Sequence, residues 1–260
     1  MKKIIKFSLW VFLLTVTLVS CSKKDGLESD PDNLDATVGY IPVQDTKLTY
    51  TITKGDEIGF SNTITVNNFH DSAGYTVANF TIEAAGIVQH STGFYNKEQS
   101  ITYNDVPSLY VQTVENLVKP QYNNTFTHEE HPFIMTIPHE NQKGATVLNE
   151  TIAGKWHGVN IGPGEPHDKT VADFSITYHT GTIVATEKIT TNLGTFDCLQ
   201  IVFNRTDFSK YTFNGDPIAD TKVEWELTTW LARGIGSIKS REVNLSTGAV
   251  NETALTKIEK

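Results

Sequence analysis

The sequence is poor in cysteine, in positive charge and in long segments with helical periodicity. Two cysteines among 260 residues cannot build a disulfide scaffold. Lys and Arg number 21 against 30 Asp and Glu, so the net charge of −9 is opposite to the basic surplus that neutralises nucleic-acid phosphates. No segment longer than about three turns has a helical period. Hydrophobic residues still make up 38% of the chain, which excludes wholesale disorder.

The first twenty residues have the pattern of a secretory signal. Lys2, Lys3 and Lys6 form a positive start, and an apolar run follows from Phe7 to Val19. That run is too short to predict a membrane-spanning helix. Removing residues 1–20 takes away three lysines and no acid, so the formal charge would change from −9 to −12.

The signal ends in a motif that resembles a bacterial lipobox, Leu18-Val19-Ser20-Cys21. The resemblance implies that Cys21 carries lipid, and several acyl chains anchor a protein stably where one would not. Residues 21–39 are polar and lack a hydrophobic period, so we expect a flexible tether. Ser22, rather than Asp, follows the cysteine, and the resemblance to lipoprotein sorting patterns implies that the protein is not retained in the inner membrane. The expected location is therefore the outer membrane, facing the periplasm or the cell surface.

Composition and alternation predict an all-β domain over residues 40–260. The chain has 20 Val, 21 Ile and 35 Thr against 13 Ala, and β-branched residues favour strands. Apolar residues alternate at Leu48, Tyr50 and Ile52, and again at Phe174, Ile176 and Tyr178. We expect one domain, an antiparallel sandwich or barrel-like sheet. The best helix candidate is Val111 to Val118, and a strand there is almost as well supported.

Three motifs stand out along the chain, and they are Tyr40-Ile41-Pro42-Val43, Gly194-Thr195-Phe196-Asp197-Cys198-Leu199-Gln200-Ile201 and Trp230-Leu231-Ala232-Arg233-Gly234-Ile235-Gly236-Ser237-Ile238-Lys239. In this order they resemble a family of uncharacterised secreted lipoproteins of the Bacteroidota type with a domain of unknown function. The resemblance implies a strongly curved antiparallel sheet, similar to the open half-barrels of periplasmic lipoprotein carriers, and no known activity. Asn192-Leu193 departs from the family's usual proline. The glycines of the third motif predict a sharp bend, and Cys198, within an apolar strand, is expected to be buried.

The segment 119–169 is expected to be an irregular connection that carries a site. It holds five of the nine prolines and five of the eight histidines. Trp156, His157 and His167 are the candidate binding residues. Gly162 and Gly164 near His167 lack the further glycine or lysine of a phosphate-binding loop.

Metal binding is the alternative for the same segment, through His128, His131 and His139. The spacing does not match the His-Glu-x-x-His helix of metalloproteases, and Pro132 opposes a helix. A solvated loop is the favoured interpretation, with no metal or cofactor.

Surface aromatics and one hydroxyl motif are further candidates. Glycans could stack on Tyr95, Tyr103, Tyr110, Tyr122, Trp156 or Tyr211. Asp71-Ser72-Ala73 resembles a three-residue bacterial O-glycosylation acceptor, so Ser72 is a possible modification site.

Three functions remain open from the sequence. The favoured one is a non-catalytic binding or assembly lipoprotein of the envelope, held to the membrane through Cys21, with a glycan, lipid or envelope protein as partner and no nucleic acid. The second is a carrier of a lipid or acyl ligand in a half-barrel cavity. The third is a metal-dependent hydrolase that uses His128 and His131.

Overall fold

Strands account for the regular structure of the part of the chain that the computed structural model describes, residues 39–104, 124–140, 142–161 and 168–259. The signal segment, Cys21 and the candidate helix at Val111 to Val118 lie outside these residues. The fifteen strands are β1 Lys47–Lys54, β2 Ser61–Ser72, β3 Tyr75–Ala84, β4 Ile87–Tyr95, β5 Gln99–Asn104, β6 Asn124–Glu130, β7 Phe133–Pro138, β8 Thr146–Leu148, β9 Thr151–Ile161, β10 Lys169–Tyr178, β11 Gly181–Thr191, β12 Gly194–Phe213, β13 Asp216–Ala232, β14 Gly236–Asn244 and β15 Val250–Glu259.

Twelve of these strands form a closed ring in the order β11, β8, β7, β5, β4, β3, β2, β1, β15, β14, β13, β12. The ring closes because β12 also pairs with β11. Both pairings of β12 within the ring are antiparallel. The predicted all-β, strongly curved antiparallel sheet is confirmed, in its barrel-like form. Among the described residues no helix is long and apolar enough to cross a membrane.

Strand β12 is shared between the ring and a second sheet. Its first part pairs with β11 as far as Val202, and from Arg205 to Phe213 the same edge pairs with β10. Strands β9 and β6 then continue outward from β10. We call β6, β9, β10 and residues 205–213 of β12 the side sheet. Only two residues separate β10 from β11, and the backbone N–H of His179 between them donates to the carbonyl of Asn204 at 2.8 Å.

A tight turn connects β12 to β13, the two longest strands. Asn214 and Gly215 both have positive φ, 51° and 88°, which is the geometry of a type I′ hairpin whose twist suits the strands. The side chain of Asn214 accepts the backbone N–H of Lys169 at 2.7 Å, so the same turn also holds the start of β10.

The segment expected to be irregular, 119–169, instead contains strands β6 to β9. The apolar residues Phe133, Met135 and Ile137 alternate along β7 and are all buried. Pro132 precedes that strand and Pro138 ends it, positions where a missing N–H donor is tolerated. Proline count therefore overstated the irregularity, because burial of one face outweighed it.

Buried side chains form two clusters. The first includes Trp156, Phe174, Tyr178 and Phe203, and it extends beneath the side sheet. The second is built on β1, β2, β3, β14 and β15, for example around Leu48. The alternation predicted for β1 and β10 is confirmed, since Leu48, Tyr50, Ile52, Phe174, Ile176 and Tyr178 are all buried.

The start of the described chain joins these two clusters. Tyr40 packs in the first cluster and Ile41 in the second. The backbone N–H of Tyr40 donates to Ser100 Oγ at 2.9 Å, and the Gly39 carbonyl accepts the N–H of Gly234 at 2.8 Å. A Cβ on Gly39 would lie 2.3 Å from Ser100 Oγ, so only glycine fits. The first and third family motifs thus meet inside the protein.

An ion cluster is buried where β12 changes partner. The guanidinium of Arg205, 2% exposed, donates to both carboxylate oxygens of Asp207 at 2.9 and 3.1 Å and to Glu242 at 3.4 Å. The same group lies 5.3 Å from the ring centroid of Trp225. Burial raises the pKa of Glu242, and Arg205 opposes that rise. The charges are tolerated in the core only because they are paired.

Replacing Arg205 with Met should destabilise the protein by about 3–5 kcal/mol, because it leaves two largely buried carboxylates, 19% and 15% exposed, without their cation. Urea unfolding of the variant measures the loss. Arg241→Met is the matched control, since Arg241 is 39% exposed and lies 3.7 Å from Glu252. We expect that control to lose less than about 1 kcal/mol. Equal losses for the two variants would contradict the role assigned to the buried cluster.

Acid should weaken the contact between Tyr40 and its neighbours through His139. The His139 side chain is buried, and burial together with nearby Arg233 holds its pKa below the ordinary value. The unfolded chain therefore takes up a proton that the folded chain resists, so this histidine reduces stability as pH falls through about 6.5. His139→Gln should flatten the loss of unfolding free energy between about pH 7.5 and about pH 5.5. An unchanged pH slope in urea titrations would show that another group is responsible.

Candidate functional site

A groove of about 470 Å³ lies on the outer surface of the side sheet. It crosses β6, β9, β10 and β12, so its residues are far apart in sequence and are brought together by strand pairing. The groove is lined by Thr127, His128, Glu129, Lys155, Trp156, His157, Asp173, Phe174, Ser175 and Phe208. Two of the three binding residues predicted from the sequence, Trp156 and His157, are among them.

Strand alternation places these two neighbours on opposite faces. Trp156 is paired with Phe174, and both are buried, at 1% and 5% exposure. His157 is paired with Asp173 and points outward with it. Trp156, one of the aromatic candidates for glycan stacking, is therefore not exposed for that role, because its indole belongs to the core beneath the groove. His157 is the predicted residue that faces solvent.

His157 and Asp173 form the most defined polar contact of the groove. His157 Nδ1 and Asp173 Oδ1 are 2.7 Å apart, and the two side chains are 47% and 44% exposed. A carboxylate that accepts from Nδ1 holds the imidazole in one orientation and leaves Nε2 to a ligand. Asp173 was not among the residues predicted from the sequence, because its partner comes from another strand.

Both signs of charge lie beside this pair. Lys155 is exposed on β9, and Glu129 is paired with it on β6. A 2.8 Å hydrogen bond from His131 lowers the pKa of Glu129, and the positive charges of His131 and Lys155 contribute to the same direction. Glu129 is thus held in its anionic form. The groove presents a cation, an anion and an oriented imidazole within one outer surface.

The geometry does not assemble a hydrolytic triad. Ser175 is two residues from Asp173 on the same outward face of β10, yet no hydrogen bond joins Ser175 to His157 in the described structure. Backbone N–H groups of a paired central strand such as β10 are engaged in the ladder, so they offer no oxyanion hole. The outer surface is suited to hold a polar ligand.

The three histidines of the metal alternative are separated. His128 Nδ1 is 3.0 Å from Glu130, whereas His131 contacts Glu129, whose side chain alternates to the other face of β6. His139 is buried beside Tyr40, with its Nε2 2.9 Å from Ser100 Oγ. Within the described residues, no group of three or more His, Cys, Asp or Glu side chains is arranged to hold a metal ion. His167 lies outside these residues.

The remaining surface candidates are spread over the protein. Tyr103 is 38% exposed, and Tyr95 and Tyr211 are half-buried against Phe69 and Phe174. Tyr110 and Tyr122 lie outside the described residues. Ser72 is exposed at the end of β2, beside the turn into β3.

The second and third family motifs are neighbours in the sheet, since Cys198 of β12 pairs with Ala232 of β13. Trp230 Nε1 donates to Glu187 on β11, the strand on the other side of β12, so this contact spans three strands of the same region. The predicted bend is confirmed at residues 233–235, where Gly234 has a φ of 62°. Cys198 is fully buried, as predicted, and burial raises the pKa of its thiol to about 12. The motifs therefore contribute residues to the core, and burial disfavours the reactive thiolate form of this cysteine.

Comparison with known proteins finds the fold in two solved bacterial structures. One is a candidate exported protein with a YmcC-like fold from Bacteroides fragilis, at 15% identity and a TM-score of 0.52, covering 86% of this chain and 100% of that one. The other is a candidate lipoprotein from Parabacteroides distasonis, at 12% identity and a TM-score of 0.53, covering 86% and 99%. No protein-family model and no curated protein matches the chain. The family resemblance of the motifs is thus supported at the level of the fold.

The Cys198 thiol should resist thiol–disulfide exchange with an external reagent until the protein unfolds. A Cys21→Ser variant leaves it as the sole thiol of the chain. We expect no reaction with Ellman's reagent at about pH 8, since the reactive thiolate is suppressed by burial, and complete reaction in guanidinium chloride. Absorbance of the released thionitrobenzoate measures both. Rapid labelling of the folded protein would show that the thiol is accessible and ionised.

Proposed function

We propose that this protein is a lipid-anchored lipoprotein of the bacterial cell envelope that binds a polar partner through the groove on its side sheet and carries out no chemistry on it. The observation that carries the proposal is the gathering of Lys155, Glu129 and the His157–Asp173 pair on one outer surface. The side sheet is not needed to close the ring, because β11 already completes it.

Attachment through Cys21 is supported by the signal pattern and the lipobox. The chain is acidic, with a net charge of −9, so charge alone would not hold it to an anionic membrane. A lipidated Cys21 at the start of the tether of residues 21–39 would hold the domain near the membrane while leaving its groove accessible. The fold likeness to a candidate lipoprotein of Parabacteroides distasonis agrees with this assignment.

Binding without catalysis is supported by the make-up of the groove. Its charged side chains are exposed, and Ser175, the candidate nucleophile, has no hydrogen bond to the His157–Asp173 pair. A ligand with both positive and negative groups, such as an extended peptide segment, would find complementary partners here. An envelope protein is therefore the partner class that we favour.

The carrier function has less support. Its cavity would have to lie inside the closed ring of strands, where aromatic side chains are instead in contact. The aromatic centroids of Phe133 and Tyr178 are 4.3 Å apart, and those of Tyr178 and Phe203 are 6.2 Å apart. The hydrolase function relied on His128 and His131 acting together, and these side chains point to different faces.

A photoreactive amino acid placed at Ser175 in the full chain should crosslink to a discrete partner in cells. Ser175 lies in the groove, so formation of the crosslinked adduct should depend on the charges of the groove. The yield of the adduct should fall about tenfold when the protein also carries Lys155→Glu. Immunoblotting and mass spectrometry measure the adduct. The same photoreactive residue at Ile58, which is 69% exposed in the turn after β1, is the matched control.

Two further measurements make this experiment decisive. The Cys21→Ser substitution should move the protein from the membrane fraction to the soluble fraction. The partner, recovered after incubation with the protein, should have the same mass as before the incubation. Adducts that are the same at Ser175 and Ile58 would contradict the binding role. A membrane-bound Cys21→Ser variant would contradict the anchor, and a changed partner mass would show that the groove is catalytic.

A further inference from the structure

A second concave surface lies across the ring from β12, on the outer face of β3, β4 and β5. Its volume is about 640 Å³, and it is lined by Asn67, Asn79, Phe80, His90, Ser91, Thr92, Phe94 and Tyr103. Strand β3 is the member of the closed ring farthest from β12 in pairing order, and β4 is next to it, so this surface is separate from the groove. It shares no residue with it.

Two aromatic rings form one side of this surface. Phe94 and Tyr103 contact edge to face, with ring centroids 5.3 Å apart and an interplanar angle of 64°. Tyr103 is 38% exposed, and its neighbour on β7, Ile134, is 40% exposed. Exposed rings that are fixed by a neighbouring ring offer a flat apolar face with a negative π-cloud, which attracts the C–H bonds of a sugar ring.

A row of neutral polar side chains forms the other side. Asn79 donates to Asn68 Oδ1 at 2.8 Å and accepts from Thr92 at 3.3 Å, so its amide is held in one orientation. Asn67 donates to Thr81 at 2.9 Å, from the bulge in β2. Amides and hydroxyls both donate and accept, as the hydroxyl groups of a sugar do.

Charge distinguishes this surface from the groove. No Asp, Glu, Lys or Arg lines it, although such residues make up 20% of the chain. An anionic ligand would find no Lys or Arg here, and a cationic ligand would find no carboxylate. The combination of aromatic rings, fixed amides and hydroxyls without charge matches a neutral carbohydrate.

We infer that the outer face of β3, β4 and β5 is a binding site for neutral oligosaccharides, with Tyr103 as the stacking residue and Asn79 and Thr92 as hydrogen-bonding residues. The site goes beyond the proposed function, because it is independent of the groove and of its partner. Its volume is within the range of ligand pockets, roughly 300–1,000 Å³. The fixed side chains lower the entropy that is lost on binding.

Isothermal titration of the detergent-solubilised full-length protein tests the site. The probes are maltohexaose, cellohexaose, mannohexaose and xylohexaose, with the hexamer of galacturonic acid as a charged comparison. We expect at least one neutral probe to bind and the acidic hexamer not to bind. Tyr103→Ala should weaken binding by about tenfold, whereas Tyr103→Phe should stay within about threefold, because stacking needs the ring and not the hydroxyl.

Two more variants separate binding from folding. Thr92→Val keeps the branched shape and removes one hydroxyl, so it should weaken binding while leaving the thermal unfolding midpoint near that of the unmodified protein. Phe213→Ala is the matched control, since Phe213 is 42% exposed on β12, away from this surface, and its loss should leave the affinity unchanged. Absence of binding at about 10 mM of every neutral probe, preference for the acidic hexamer, or equal effects of Tyr103→Ala and Phe213→Ala would each overturn the inference.

Discussion

The shared edge of β12 is the constraint on which the architecture depends. One edge of a strand can pair with only one partner at each residue, and here the first part is used by β11 and the second by β10. The other edge pairs with β13 over nearly the whole length, so the hairpin carries both sheets. Arg205 lies at the change of partner, and its buried contacts with Asp207 and Glu242 connect β12 to β14 at that point. Without this strand, neither the ring nor the side sheet would be complete.

Alternation along the strands gives the protein its separate surfaces. On the side sheet, Trp156 and Phe174 face the core while His157 and Asp173 face outward. On the opposite side of the ring, outward positions carry Tyr103, Asn79 and Thr92. One surface combines both signs of charge and the other has none. A rigid, closed sheet can therefore present two chemically distinct surfaces that do not compete for a ligand.

Much of the fold could be predicted from the sequence, but the change of strand partner along β12, from β11 to β10, could not. Two-residue alternation and turn residues are local signals, so β1, β10 and the turn at Asn214 were predictable. Which strands become neighbours depends on contacts between distant residues, so the pairing of Asp173 with His157 was hidden. The prolines on either side of β7 suggested a loop, whereas burial of Phe133 and Met135 on one face stabilises a strand there. The burial of Trp156 could not be read from the sequence, because alternation along a strand does not say which of its two faces packs against the core.

The entry of the chain at Gly39 to Ile41 has a mechanical consequence. In a protein tethered by its N terminus, a pull on the tether acts first on this segment, whose Tyr40 and Ile41 are buried in two different clusters. The load would pass through the hydrogen bonds to Ser100 and Gly234 into strands on both sides of the ring. Force would thus be distributed over the interior, where it meets many contacts at once, and no single edge strand would be peeled away.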